Sequence, residues 1–315
     1  MKRVALIVIL MMAASRAVPA AEAPDTVITG AYVISVHDIN FHDKEYTVRF
    51  WLWFIYSNPK FDFSKQLDIP NAKSIDEPEI IRDSIDGKAW VLMKMKCVMK
   101  ERWNVGDFPF DSQHLHVQIE NTLFDKRSLV FVPDQNGSRI EDEMAIDGWT
   151  VRNFKVSSEH NIYETAFGDY RVPQQSDFAT FNIDLDIDRN AWGLFMKIFI
   201  GMYIAFLIAI VSFTPHPWEL EPRFGLPVGG LFAAVGNKYI IDSLLPESSQ
   251  FTLVDTLHTL TFLSIFGALV VSAIALKLHD WGKKEQCIRV SKRGATLVIV
   301  AYVIANIFFI WQALL

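Results

Sequence analysis

Cysteine is nearly absent: Cys97 and Cys287 are the two in 315 residues. Cys97 precedes the apolar runs described below and Cys287 follows the third of them, in a different expected compartment, so no disulfide is expected between them, and two thiols build no metal cluster. A basic excess is also lacking. Formal net charge is −6, and the stretch from Asp25 to Arg189 carries 18 Lys plus Arg against 28 Asp plus Glu. Such a surface excludes nucleic acid as a natural partner, because phosphate binding requires a basic face. Neither Gly-x-Ser-x-Gly nor a glycine-rich phosphate loop occurs. His114 and His116, two apart on an expected strand, share a face that could ligate a metal, but no third ligand stands at a telling spacing. They read as surface or packing residues. With no nucleophile–base pair and no metal set, neither an enzyme nor a cofactor is expected.

What is present is an uneven distribution of apolar residues. Residues 1–23 combine Lys2 and Arg3, an apolar core from Val4 to Ala14, and small residues around Val18 to Ala21, the pattern of a cleavable signal peptide. Residues 24–190 alternate with a period near two. Val48–Phe54, Ala89–Met99, His114–Glu120, Ser128–Val132, Trp149–Val156 and Ala179–Asp188 read as strands. Breakers such as Ser57-Asn58-Pro59, Asp86-Gly87 and Asp147-Gly148 separate them. Short strands without intervening helices predict one all-β domain, a sandwich or a barrel.

Residues 191–315 predict a bundle of four transmembrane helices, over 192–213, 223–245, 254–276 and 295–315. The basic stretch from Leu276 to Gly294 is expected on the cytoplasmic side, which leaves the β domain and the C-terminus outside. The second span is the least apolar. Its Gly225, Gly229, Phe232, Gly236, Tyr239 and Ser243 share one face, with Glu221 and Arg223 at one end. A small or polar stripe of this kind is either a close helix–helix contact or the lining of a water-filled path. Pro227, in the first two turns, is expected to kink or weaken that helix. Lys238 either pairs with Asp242 or Asp255 or snorkels to the interface.

One stretch is more specific than the rest. Trp103-Asn104-Val105-Gly106-Asp107-Phe108-Pro109-Phe110-Asp111-Ser112-Gln113 is an aromatic-rich turn, in which Pro109 restricts Phe108 to an extended shape. Its Phe-Pro-Phe-Asp-x-Gln core resembles the signature loop of the pentameric ligand-gated ion channels, the Cys-loop receptor family. Tyr56 to Phe63, Pro78-Glu79-Ile80 and the pre-membrane Arg189 resemble further family patterns in the same order. Glu101 and Leu115 stand where the loop-closing cysteines would be, as in bacterial members.

The resemblance implies an all-β, immunoglobulin-like sandwich of about ten strands followed by a four-helix transmembrane bundle, assembled as a homopentamer in a bacterial inner membrane with the N-terminal domain periplasmic. Its partners would be the lipid bilayer, permeating inorganic ions and an unknown small ligand, proton or divalent cation. The second span would line the pore through Glu221, Gly225, Gly229, Phe232, Gly236, Tyr239 and Ser243. Phe232 would form a hydrophobic constriction, unless it packs against lipid or core, and Glu221 with Arg223 an inner charged ring, in which Glu221 favours cations whereas Pro222-Arg223 resembles the approach to the pore in anion-selective members. The resemblance also places gating contacts at Asp43, Phe108, Pro109, Phe110, Asp111, Arg189 and Pro246, with Arg189 held by Asp111 or a nearby acid. Ligand contacts would come from Trp51, Asp83, Tyr163, Phe167 and Tyr170. Asp83 and Thr122 stand where the family carries aromatics, so a quaternary ammonium would be poorly caged. A non-conducting membrane sensor of the same fold is the alternative.

Overall fold

A computed structural model describes residues 23–168, 170, 174–246 and 250–314. The expected signal peptide lies outside them, apart from Ala23. Among the described residues, eleven strands form two sheets. The larger sheet has the order β4 (Ala72–Ile75), β6 (Lys88–Lys100), β2 (Glu45–Tyr56), β1 (Asp25–Asn40) and β8 (Leu129–Pro133). Beside this path, β5 (Glu79–Ile85) pairs with β6 and β9 (Arg139–Ile140) with β1. The second sheet runs β10 (Trp149–Tyr163), β11 (Ser176–Arg189), β7 (Ser112–Asn121), β3 (Leu67–Asp68).

Alternation explains the packing. On β2 the residues Tyr46, Val48, Phe50, Leu52, Phe54 and Tyr56 are all buried, and on β6 Val91, Met93, Met95, Cys97 and Met99 continue the same layer. Leu115, Val117 and Ile119 of β7 and Phe181, Ile183, Leu185 and Ile187 of β11 face them from the second sheet. Cys97 is a free thiol in this core, and burial pushes it up to about 12, so it packs as a small apolar residue.

Four helices follow: α1 (Ala191–Val211), α2 (Leu220–Asp242), α3 (Leu253–Asp280) and α4 (Lys284–Ala313), each long and apolar enough to cross a membrane. A single helical turn at Phe63–Gln66 precedes them in the β domain. Helix α4 starts at Lys284 rather than at Ala295, so the basic stretch is mostly helical and only residues 281–283 join α3 to α4. Apolar composition marks the bilayer portion of a helix, not its polar extension, which is why hydropathy misses this end.

Helix α2 is continuous through Pro227. That proline is buried at the second turn, where it leaves one carbonyl without its helical donor but does not end the helix. Gly230 has a packing reason. A Cβ there would stand 2.6 Å from the Ala205 carbonyl oxygen, so glycine lets α1 and α2 approach backbone to backbone. Lys238 pairs with both Asp242 (2.7 Å) and Asp255 (2.7 Å), tying α2 to α3. Asp255 also closes a capping box with Thr252 at the start of α3.

The two halves share one apolar core. The buried cluster of the sandwich continues into Phe195, Ile198, Phe199 and Met202 of α1 and Leu253, Val254 and Leu257 of α3, while a second cluster around Phe206 and Ile265 fills the deeper bundle.

Candidate functional site

The loop from Asn104 to Gln113 joins sandwich to bundle. Where a disulfide could have closed it, Gln113 does so: its Oε1 accepts from Asn104 N at 3.0 Å and its Nε2 donates to Asn104 O at 2.7 Å. Asp111, its side chain almost wholly buried, accepts both arms of the Arg189 guanidinium, Nε at 2.7 Å and Nη2 at 3.0 Å, and a third bond from Gln113 Nε2 at 2.6 Å. The guanidinium carbon lies 4.0 Å from the Trp149 ring centre, 4.7 Å from Phe41 and 4.9 Å from Phe108. A buried cation is thus neutralised by a forked ion pair and sheathed by three ring faces.

The same loop grips the helices twice. Phe110 packs on Trp192 (5.2 Å) and Phe195 (5.4 Å) of α1, and the Gly106 carbonyl accepts from Leu253 N, the first residue of α3, at 2.8 Å. Phe108, Pro109, Phe110, Asp111 and Arg189 are therefore brought together, and Pro246 is buried in the α2–α3 connection, four residues beyond the end of α2. Asp43 is exposed and bonds with Asn40 in its own turn. From that turn it is Phe41, stacked on Trp103 at 4.7 Å, that reaches the junction. Phe41 and Trp149 carry no local signal of this role, since their partners are distant in sequence.

Helix α2 has two unlike faces. Arg223, Pro227, Gly230, Ala234 and Ile241 are buried against the bundle. Glu221, Gly225, Gly229, Phe232, Gly236, Tyr239 and Ser243 are exposed on the other side, Phe232 at 72% and Tyr239 at 77%. Gly225, Gly229 and Gly236 meet nothing within 4 Å of an added Cβ. Arg223 does not join Glu221 on this face. It is 1% exposed and donates through Nη2 to Pro215 O (3.0 Å) and Ser291 Oγ (2.9 Å). Two residues along a helix of 3.6 per turn lie on nearly opposite sides, which corrects the expected Glu221–Arg223 ring.

Under the β10–β11 hairpin lies a cavity of about 1180 Å³ whose lining includes Glu120, Thr122, Tyr163, Phe167 and Phe178. Tyr163, Phe167 and Phe178 meet edge to face at 5.7–6.4 Å. At the cavity floor Glu120 is 3% exposed, and its carboxylate accepts from Asn161 Nδ2 (2.5 Å), Tyr163 Oη (3.0 Å) and Thr180 Oγ1 (3.0 Å). Burial and the bond to Glu120 push the Tyr163 phenol up to about 12, so it remains a donor. Glu120 has three neutral donors and no ion pair among the described residues. Trp51 and Asp83 do not line this cavity: Trp51 lies on β2 beneath the Lys94 ammonium at 5.3 Å, and Asp83 is exposed on β5. Tyr170, 95% exposed, is not in the lining.

On the outer face of the second sheet, His114 and His116 of β7 stand opposite Asp186 and Asp184 of β11. Ligand atoms of His114, His116 and Asp184 all lie within 4.8 Å of one another. The third ligand absent from local spacing is thus supplied by a strand far along the chain.

A β-sandwich is thus seated, through a Phe-Pro-Phe-Asp loop whose acid is forked onto Arg189, on four helices long and apolar enough to cross a membrane, which fits a multi-pass membrane protein. The chain is homologous to the "Proton-gated ion channel" of Gloeobacter violaceus, 20% identical over 310 residues that cover 92% of this chain and 83% of that protein. It also matches the "Gamma-aminobutyric acid receptor subunit beta" of Caenorhabditis elegans, 20% identical over 66% of this chain and 36% of that one. No family model matches. These relatives are ion channels and receptor subunits, not enzymes.

Proposed function

We propose that five copies of this chain surround an axis with the uncovered face of α2 inward, forming a cation-selective channel opened by a ligand bound beneath the β10–β11 hairpin. The observation that carries this reading is the two-sidedness of α2. One face packs the bundle, and the other exposes Gly225, Gly229, Gly236 and Ser243 with Phe232 and Tyr239, beside Val228 and Val235, and ends in Glu221. A face that mixes glycines and hydroxyls with a few rings suits a water-filled path, and cyclic symmetry repeats each of its residues as a ring. Phe232 is then the hydrophobic constriction. The β domain faces the periplasm and the α3–α4 turn, with the basic residues of the helix ends that flank it, the cytoplasm.

The ligand is cationic. Glu120 is a buried carboxylate in the lining of the cavity with neutral donors around it, so an added positive charge gains a partner not otherwise supplied among the described residues. A protonated amine fits this chemistry, whereas the Gloeobacter relative is named for gating by protons. Trp51, on the other sheet, is offered to the cavity of a neighbouring copy. Binding draws the hairpin inward, and β10 and β11 end at Trp149 and Arg189, which carry the displacement to the junction.

Cation flux from proteoliposomes, triggered by steps of pH or of a small primary amine, tests the reading. Wild type is expected to release cations, and Glu120→Gln to need at least about tenfold more amine, because a charge-assisted hydrogen bond is worth about 1.5–3 kcal/mol. Silent liposomes containing intact pentamers would favour the non-conducting sensor.

A further inference from the structure

The strands that lead into the junction carry a second cluster, independent of the channel reading. Two imidazoles converge on one carboxylate oxygen. His116 Nδ1 lies 2.6 Å and His114 Nε2 3.2 Å from Asp184 Oδ1, and the two rings stand nearly parallel with centres 6.0 Å apart. The remaining nitrogen of His114 is already engaged: Nδ1 meets Asp186 Oδ1 at 2.8 Å, and Asp186 Oδ2 accepts in turn from Asn153 Nδ2 at 3.1 Å. This is the relay by which metal-binding histidines are oriented. A carboxylate fixes the proton on one ring nitrogen and leaves the lone pair of the other facing the ion.

We propose that His114, His116 and Asp184 form a site for a zinc-class divalent cation, with Asp186 and Asn153 positioning His114. Two imidazoles and one carboxylate select a borderline transition metal over calcium or magnesium, which prefer oxygen cages. For bonds of about 2.0–2.1 Å the edges of a tetrahedron are about 3.3 Å. The His114–Asp184 separation of 3.2 Å already meets that length, and the His116–Asp184 contact needs to open by less than an ångström. The charge balance is favourable too. The cation replaces a shared hydrogen bond to a carboxylate that two histidines otherwise contest, and Glu101 adds negative potential nearby. The fourth position, on the side where the His114 side chain is 58% exposed, is left to water.

The site's place in the fold gives it a consequence. His114 lies three residues beyond Asp111 on β7 and Asp186 three before Arg189 on β11. A bound ion clamps the two strands directly above the Asp111–Arg189 pair.

The test uses the full-length protein in detergent micelles, stripped with a chelator and titrated with Zn2+ by calorimetry and with Co2+ by visible absorption. One ion per chain is expected, with the intense bands of four-coordinate Co2+. His116→Gln is expected to abolish those bands, and Asp186→Asn, which touches no metal, to weaken Zn2+ binding about 10–100-fold. Thermal midpoints of the apo variants verify folding. Zn2+ binding by wild type no tighter than by a folded His114→Gln/His116→Gln double variant would overturn the site. An unchanged affinity in Asp186→Asn would overturn the role given to the relay.

Discussion

Asp111→Ala is expected to lower the stability of the folded protein by about 3–5 kcal/mol, read as loss of the thermal transition or of folded material in detergent. The substitution removes the only carboxylate that meets the Arg189 guanidinium among the described residues and leaves that cation sealed under Trp149, Phe41 and Phe108. It also strips Gln113 of one acceptor in the bracket that closes the loop. Arg189→Lys should cost less, because charge is retained while the two-pronged geometry and the flat stacking surface are lost. The double variant Asp111→Ala/Arg189→Met should recover part of the loss, since an apolar pair no longer strands a buried charge. Unfolding of Asp111→Ala at the wild-type temperature would show that the pair is not what fixes the junction.

Glu221→Lys is expected to shift the reversal potential in a salt gradient from the cation side towards the anion side. Arg223 is turned into the bundle, so the exposed face of α2 at that end carries Glu221 without a compensating cation. Five carboxylates around a narrow path attract cations and repel anions, and replacing them with five ammonium groups inverts the local potential. The effect should shrink at high ionic strength, where screening shortens to a few ångströms. An unchanged reversal potential would remove Glu221 from the permeation path.

Much of this architecture is legible in the sequence where burial is periodic. The strands β2, β6, β7, β8 and β11 follow from alternation, because one face of each is core and the other is not. β5 escapes the same reading, since its residues are nearly all exposed and no alternation is imposed. The motif from Phe108 to Asp111 and Arg189 is legible as a set, and the forked pair between them follows from the need of a half-buried guanidinium for an acid. The exposed stripe of α2 is also foreseen from spacing, whereas Arg223 is misplaced when its proximity to Glu221 in sequence is taken for proximity on the helix.

What stays hidden depends on the approach of distant strands. Glu120 meets Asn161 and Thr180 only after β7, β10 and β11 assemble, and Asp184 reaches His116 across 68 residues. A search of local spacing sees His-x-His and stops there. The pairing register of β7 and β11 supplies the rest.

The most direct measurement is unitary conductance in planar bilayers, comparing wild type with Phe232→Ala in assemblies whose stoichiometry is verified by native mass measurement. If five copies of α2 line the path, the ring of phenyl groups is its narrowest apolar point, and truncation should change the unitary conductance and leave the protein open more often without ligand. Identical conductance in the two proteins, or silence from intact pentamers of both, would contradict the account.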